Sequence, residues 1–388
     1  MKLLADENMP YVQELFGDWA EIVTCSGRGM TPEQLIDVDV LLVRSITQVN
    51  QALLAKANRL RFVGTATIGC DHIDTELLRE RGIAFASAPG CNKVAVGDYV
   101  LAALLKVAAH KNWQLKDKTL AVVGVGNTGS QVVQRANALG MRVLLCDPFK
   151  ALSCPMASAI NLNPPTDFVD LSQALTADIV SFHVPITQGG EHPTWHLLGE
   201  SQISALNPDQ VLINACRGEV WDNAALLARQ LGAEPLTLVM DVWEREPNVL
   251  APLVPHVLLA TPHIAGYSLE GKARGTFALY QALAEHAQLA RAHCLEQLLP
   301  APAITRVELA ADVALAQRID QALLARLVGL VYDINADDRA FRAALGQPDF
   351  FDRLRKFYPE RRELASLSVG LAGSKSGSTQ VQALGFSG

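Results

Sequence analysis

No stretch of this chain of 388 residues is apolar for long enough to span a bilayer. The nearest candidate, Tyr99 to Ala109, is broken by Lys106. A basic excess is missing too. Lys and Arg number 33 against 40 Asp and Glu, a net charge of −7, which argues against nucleic acid or an anionic membrane as the main partner. Among the seven cysteines there is no C-x-x-C pair, and their odd number and scatter point to reduced thiols rather than a disulfide framework. The opening MKLLADENMP turns acidic too early for a secretory signal, so a cytoplasmic protein is expected. No repeat of solenoid period occurs. What is present is an ordinary globular composition, 49% hydrophobic and 19% charged, in a length that suits two or three domains.

One stretch organises the rest, Leu120 to Asp147, LAVVGVGNTGSQVVQRANALGMRVLLCD. The apolar run Leu120 to Val123 reads as a buried strand. Gly124, Gly126 and Gly129 follow with the spacing G-x-G-x-x-G. Val132, Val133, Ala136 and Leu139 keep helical spacing, closed by Gly140. A second apolar strand, Val143 to Cys146, ends in Asp147. In such a unit the first glycine makes the tight turn, the second lets a pyrophosphate approach the backbone, and the third lets helix and strand pack closely. The helix N-terminus presents N–H groups and a positive dipole end to phosphates. Asp147, about twenty residues on, can accept both ribose hydroxyls of an adenosine. The stretch predicts a dinucleotide site. A carboxylate repels a 2′-phosphate, so NAD is expected over NADP; Arg142 precedes the second strand and belongs at its far end.

Lys2 to Ala5, Glu21 to Cys25, Val38 to Val43, Arg61 to Thr65 and Ile83 to Ser87 read as strands, with Asp74 to Arg81 a helix and Thr31-Pro32-Glu33 a helix start. This alternation predicts an α/β fold with a doubly wound parallel sheet, whose functional groups gather beyond the carboxyl ends of its strands. Arg44-Ser45 and Thr67-Ile68-Gly69 fall there. Asn92 to Asn112 predicts one long helix. Ile179 to Phe182, Val211 to Asn214, Leu236 to Met240 and Val257 to Ala260 supply further strands. The helix Leu269 to His286 is expected to return to the first domain and make it discontinuous, 1–95 with 269–293, around a second domain at 96–268. In 294–388, Val307 and Leu309 alternate as in a strand, and so do Leu367, Val369 and Leu371. Ile319, Leu323, Leu327 and Leu330 keep helical spacing with Leu324, Val328 and Val331 beside them, which predicts a helix buried on more than one side. The Gly/Ser-rich stretch Gly373 to Gln380 is expected to be mobile. So small a unit has a marginal core alone and is expected to complete it in a homodimer.

Arg217 follows one strand in NACRG, Glu246 a second in DVWEREP, and His263 a third in TPHIAG. In a parallel sheet all three share the carboxyl edge with Gly126. A base, an acid that orients it and a cation beside a dinucleotide suit oxidation of a hydroxy acid. His263 can take the hydroxyl proton while hydride leaves the same carbon. A neighbouring carboxylate fixes the imidazole tautomer. A guanidinium grips a substrate carboxylate and polarises the new carbonyl. His192 and His196 stand four apart, but Pro193 disfavours a helix through them and no third ligand is apparent, so no metal is expected. The basic run Arg353, Arg355, Lys356, Arg361 and Arg362, interleaved with Phe357 and Tyr358 and with acidic Asp352, Glu360 and Glu363, reads as a solvated face.

GVGNTG with its distal Asp147, HVP, NACRG, DVWEREP and TPHIAG, in this order and spacing, resemble the NAD-dependent D-isomer-specific 2-hydroxyacid dehydrogenases over roughly residues 1 to 290. The resemblance implies a flavodoxin-like substrate-binding domain, an NAD-binding Rossmann domain, and Arg217, Glu246 and His263 as catalytic residues. It implies Ser45, Thr67 and Tyr267 as substrate contacts, and Asn127, Thr128, Asp147, Asp241 and Gly266 as cofactor contacts, with Gly124, Gly126, Ala215, Cys216 and Arg217 contributing from the same motifs. Ser181 stands near the adenosine where a threonine is expected, and the loop Thr187 to Trp195 reads as extended. RSIT at Arg44 to Thr47, GTATIGCDHID at Gly64 to Asp74, YDINADDRAFR and FDRLRKFYPE narrow the resemblance. They point to a member acting on a phosphorylated four-carbon hydroxy acid in pyridoxal 5′-phosphate biosynthesis, with a small α+β C-terminal dimerisation domain. The phosphate is then expected at Arg44 and Ser45. D-3-phosphoglycerate dehydrogenase and a nucleotide-sensing corepressor on the same scaffold stay open as alternatives.

Overall fold

The computed structural model describes residues 1–153, 168–310, 319–371 and 379–388. Two compact units emerge: Met1–Asn92 with Tyr267–Ala301, and Lys93–Gly266 with Pro302–Gly388. In the first unit, β1 (Lys2–Asp6), β2 (Glu21–Cys25), β3 (Val40–Val43), β4 (Phe62–Thr65) and β5 (Ala84–Ser87) form a sheet of order β2-β1-β3-β4-β5. Every neighbouring pair is parallel. This is the flavodoxin-like order. The central β3, VLLV, is buried at all four positions, as expected of an unbroken apolar run covered on both faces. Its alternation sends Leu42 to a core shared with Leu279, Tyr280 and Leu283 of the helix Leu269–Ala287. Leu41 and Val43 go to the opposite core, with Leu35, Leu54 and Leu78. The predicted helix start at Thr31 is a short 3₁₀ turn, Pro32–Leu35, closed by a Thr31–Gln34 capping box.

The second unit opens with α1 (Lys93–Lys111) and a six-stranded sheet: β6 (Thr119–Val123), β7 (Arg142–Cys146), β8 (Ile179–Phe182), β9 (Val211–Asn214), β10 (Thr237–Met240) and β11 (Leu259–Ala260). The order is β11-β10-β9-β8-β6-β7, parallel throughout. The direction of winding reverses between β6 and β8, so the glycine loop after β6 lies at the switch point, where such sheets bind ligands. The strand expected at Val257 to Ala260 is shorter. The 3₁₀ turn Ala251–His256 holds the chain until Val257, and only Leu259 and Ala260 come into register with β10.

The C-terminal residues join this second unit. Here β12 (Arg306–Leu309) pairs in parallel with β13 (Ser368–Leu371). Among the described residues between them are the helices α3 (Gln321–Val331), α4 (Ile334–Ala344) and α5 (Phe350–Lys356). Phe341 of α4 and Phe351 of α5 belong to the same core as Phe182, Trp221 and Trp243, and Phe341 stacks on Trp243 at 5.3 Å between ring centroids. Helix α3 starts at Asp320, whose carboxylate accepts from the Ala322 and Leu323 N–H groups. It buries Leu324, Leu327 and Val328, while Leu330 is 48% exposed. The stretch expected to be mobile, Gly373 to Gln380, falls outside the described residues except for Thr379 and Gln380, which begin a short helix. The solvated face expected between Arg353 and Arg362 needs correcting. Arg355 and Arg361 are buried, because both turn back into the unit.

Candidate active site

The site is built loop by loop along the carboxyl edge of the six-stranded sheet. After β6, Gly124 takes φ 87, a left-handed conformation open to glycine. A Cβ at Gly129 would sit 2.0 Å from the Gly124 carbonyl oxygen, so only glycine lets α2 (Asn127–Leu139) approach the strand. A Cβ at Gly126 would meet no protein atom within 4 Å. The backbone there faces open space in front of the α2 N-terminus, and Gly126 and Asn127 are exposed. That is the geometry a pyrophosphate needs: a free approach, helix N–H donors and a positive dipole end. Asp147 follows β7 and is half-buried, its carboxylate accepting from the Val125 and Lys150 N–H groups. Lys150 Nζ also donates to the Val125 carbonyl, a cation beside Asp147 that the sequence reading passed over. Arg142, the first residue of β7, lies at the opposite end of that strand.

Ser181 is not at the surface. It is fully buried on β8, with its hydroxyl 2.8 Å from His183 Nε2. Burial pushes the His183 imidazole down to about 3, and its Nδ1 has no hydrogen-bond partner among the described residues. After β9, Asn214 shapes the turn that carries Ala215, Cys216 and Arg217. Its side chain accepts from the Cys216 N–H and donates to the Arg217 carbonyl. Cys216 is buried, which pushes its thiol up to about 11 and leaves it unreactive. The half-buried Arg217 donates Nη1 to the Cys216 carbonyl at 2.8 Å.

Glu246 and His263 meet after β10 and β11. His263 Nδ1 lies 2.8 Å from Glu246 Oε2, leaving Nε2 as the nitrogen available to a reactant. The other Glu246 oxygen accepts from the Trp243 N–H at 2.8 Å. Burial works to raise the Glu246 carboxyl. The charge and hydrogen bond of His263, the charge of Arg355 and the Trp243 N–H outweigh it and hold the group below the usual carboxylate range. His263 itself has φ 57, unusual for a residue with a side chain. Asp241 makes that conformation possible. Its carbonyl accepts from the His263 N–H at 2.6 Å, and its carboxylate accepts from Thr261 Oγ1, Ile264 N and Ala265 N. Both carboxylate oxygens of Asp241, which is 1% exposed, are therefore engaged within the protein, and the half-buried Gly266 ends the same loop.

In the first unit, Arg44 and Ser45 follow β3 and Thr67 follows β4, again on a carboxyl edge. The Arg44 guanidinium lies 5.0 Å over the Tyr267 ring, and Lys272 Nζ lies 4.7 Å from the same ring. Thr67 Oγ1 donates to the Gly69 carbonyl and contacts Thr65 Oγ1. The loop expected to extend from Thr187 to Trp195 is closed on itself by hydrogen bonds between Thr187 and Thr194. His192 packs edge-on to Phe149. The sequence reading missed the partners of His196. Its Nε2 is 3.0 Å from Glu244 Oε1 and its Nδ1 is 3.7 Å from Asp222 Oδ2, so the ring is held between two carboxylates.

Residues 98–265 match the family model described as D-isomer specific 2-hydroxyacid dehydrogenase, NAD binding domain. Residues 298–385 match one described as Domain of unknown function (DUF3410). Erythronate-4-phosphate dehydrogenase of Aeromonas hydrophila is 56% identical over 95% of this chain and 95% of its own length. That of Tolumonas auensis is 50% identical over 100% and 99%. The chain belongs to the erythronate-4-phosphate dehydrogenase family. Solved structures share the fold at lower identity. D-lactate dehydrogenase of Aquifex aeolicus, complexed with NAD and lactic acid, superposes with a TM-score of 0.61 at 23% identity, covering 74% of this chain and 96% of that one. A glyoxylate reductase of Paecilomyes thermophila gives 0.60 at 18%, covering 76% and 99%. In this member of the erythronate-4-phosphate dehydrogenase family, the NAD-binding domain carries the glycine loop, Asp147, Arg217, Glu246 and His263 on one sheet edge. Among the described residues no helix is long and apolar enough to cross a membrane.

Proposed function

We propose that this protein oxidises 4-phospho-D-erythronate at C2 to 2-oxo-3-hydroxy-4-phosphobutanoate, with NAD as acceptor. The observation that carries the reading is the 2.8 Å contact between His263 Nδ1 and Glu246 Oε2, on the sheet edge that also bears the glycine loop. Asn127 and Thr128, at the start of α2, hold the cofactor's pyrophosphate with Gly124 and Gly126. Asp147 would hold the adenosine ribose; Ala215 and Gly266 would contribute backbone on the same edge, with the buried Ser181, Cys216 and Asp241 shaping it from behind. The bound nicotinamide would supply the acceptor for the hydride that leaves C2. His263 removes the hydroxyl proton at Nε2, and Glu246 fixes its tautomer and stabilises the imidazolium that results. Arg217 grips the substrate carboxylate and polarises the carbonyl as it forms. Arg44, Ser45, Thr67 and Tyr267 of the first unit are the substrate contacts, with Arg44 assigned to the phosphate. Turnover of a panel of D-2-hydroxy acids tests the reading. 4-Phosphoerythronate should exceed erythronate by at least about a hundredfold in kcat/KM, the summed effect of two or more charge-assisted contacts at roughly 1.5–3 kcal/mol each. Arg44→Ala should narrow that ratio by weakening the phosphorylated acid. Equal reaction of the two acids refutes the phosphate assignment.

A homodimer built on residues from about 294 onward belongs to the same proposal. Leu330, Phe357 and Ile304 are supporting observations, apolar side chains that are 48%, 71% and 40% exposed. A monomer at micromolar concentration, measured by light scattering on the full chain, overturns it.

A further inference from the structure

The loop from His263 to Gly266 is held from two directions. Its N–H groups go to Asp241, as described. Its carbonyls go to a residue of the C-terminal region. Arg361 Nη2 donates to the Ala265 carbonyl at 2.6 Å and to the Ala95 carbonyl on α1 at 3.1 Å, and Nη1 donates to the Ile264 carbonyl at 3.3 Å. The Arg361 side chain is fixed in turn. The residue is 5% exposed, and its guanidinium lies 4.4 Å over the Tyr332 ring. The hydroxyls of Tyr332 and Tyr358 both donate to Asp337 Oδ2 at 2.8 Å. Three residues on, the Leu364 N–H donates to Asp98 Oδ2 and ties the segment to α1. A loop whose first residue has φ 57 does not hold that conformation unaided. From the His263 N–H to the Ala265 carbonyl, the three N–H groups are taken by Asp241, the first by its backbone carbonyl and the other two by its carboxylate, and the Ile264 and Ala265 carbonyls are taken by the Arg361 guanidinium.

We propose that the C-terminal region positions the His263–Glu246 pair, with Arg361 as its principal positioning residue. The inference rests on the reading of His263 as base, and it assigns a role to a region whose family model is described as a domain of unknown function. The charge of Arg355 on α5 is among the causes that hold the Glu246 carboxyl below its usual range, so the region also acts on the other member of the pair. The region therefore addresses both partners, the base through its backbone and the carboxylate through the field.

The test uses the full-length protein and Arg361→Met. A base displaced by an ångström or less should cost about 10- to 100-fold in kcat per folded molecule, with KM changed by less than about threefold. The primary deuterium isotope effect with C2-deuterated hydroxy acid should rise, because the chemical step becomes more rate-limiting. A residue with a merely structural role would lower the folded fraction and leave the isotope effect unchanged. The second readout is the downfield His263 Nδ1 proton, hydrogen-bonded to Glu246, in spectra of ¹⁵N-histidine-labelled protein. It should broaden or vanish in Arg361→Met. This signal does not depend on turnover, so an inactive wild type would overturn the functional reading and still leave the positioning inference open to test. Arg342→Met is the control. Arg342 donates to the Val254 and Val257 carbonyls, outside the loop, and its loss should leave the isotope effect and the resonance as they are. If Arg361→Met is insoluble, Arg361→Lys decides, since it keeps the charge and loses the fork. A wild-type isotope effect with an unchanged Nδ1 resonance in either variant overturns the proposal.

Discussion

Gly126→Ala separates the protein's own needs from those of its cofactor. The added methyl would find no protein atom within 4 Å. Gly126 has φ −75 and ψ −151, which an L-residue can adopt, so backbone strain is absent. The cost to folding is limited to a poorer helix N-cap, about 1 kcal/mol or less. The cost to binding is larger. The methyl occupies the space in front of the α2 N-terminus and pushes a pyrophosphate outward by about the length of a bond. Loss of one charge-assisted hydrogen bond, roughly 1.5–3 kcal/mol, corresponds to about a 10- to 100-fold weaker NADH complex. Gly129→Ala is the reverse case. Its Cβ would lie 2.0 Å from a backbone oxygen that cannot step aside, so it should lower the melting temperature sharply. Fluorescence titration with NADH and thermal melts of the apo variants measure both effects. Wild-type NADH affinity in Gly126→Ala would refute the assignment of that open space to the pyrophosphate, and wild-type stability in Gly129→Ala would refute the close approach of α2 to its strand.

Other outcomes follow from the same geometry. His263→Ala should cost about 10²–10⁴-fold in kcat and leave NADH binding intact; steady-state kinetics beside an NADH titration check it, and a small loss of kcat would rule out His263 as the base. NAD should be preferred over NADP, with Asp147→Ala narrowing the preference; equal kcat/KM for both cofactors in the wild type would contradict the role given to Asp147. Two groups of the site's surroundings contribute to the acid response of stability, in different windows. His183 is held neutral down to about pH 3, while its unfolded form takes a proton below about 6.5. The unfolded state therefore binds more protons across that range, and stability should fall on the order of 4 kcal/mol as pH drops through it. His183→Gln should flatten that slope. Glu246 is shifted in the same direction for a different reason, partners that favour its charged form: its contribution is present above its ordinary value of 4.5 and lost as pH falls through the lowered one. Urea titrations of Glu246→Gln should show a shallower decline below pH 4.5 than the wild type, and parallel curves would mean that the ion pair adds nothing to stability.

The parallel sheets and the sheet edge were legible because they depend on local patterns. VLLV can only be a strand covered on both faces, and G-x-G-x-x-G between strand and helix has one common use. Arg217, Glu246 and His263 could be placed because each follows an apolar run by a few residues. The partners of those residues were not legible, since they come from distant parts of the chain. Nothing near Asp241 announces that its carboxylate serves the backbone N–H groups of Ile264 and Ala265. Arg361 looks in the sequence like any other cation in a charged run, and only tertiary packing selects it and Arg355 for burial while Arg353 and Lys356 stay exposed. His196 is a similar case. Its neighbour in sequence, His192, drew attention, whereas Asp222 and Glu244 surround it in space. The helix α3 was apolar on several faces, and the pattern could not say which of them the rest of the chain would cover.

The way the two units share the chain has a consequence for synthesis on the ribosome. The first sheet is complete at Ser87, but Leu279, Tyr280 and Leu283, which complete the cover that Val12, Leu15 and Phe16 begin on one of its faces, are made much later. The second sheet is complete at Ala260, but Phe341 and Phe351 of its core come later still. At about 5–20 residues per second, each nascent sheet waits on the order of ten seconds with an apolar face incompletely covered. Neither unit can close in the order in which it is translated. A nascent chain of this kind calls for holding chaperones throughout elongation, and a ribosome stalled before residue 341 would release a product whose second core has no lid.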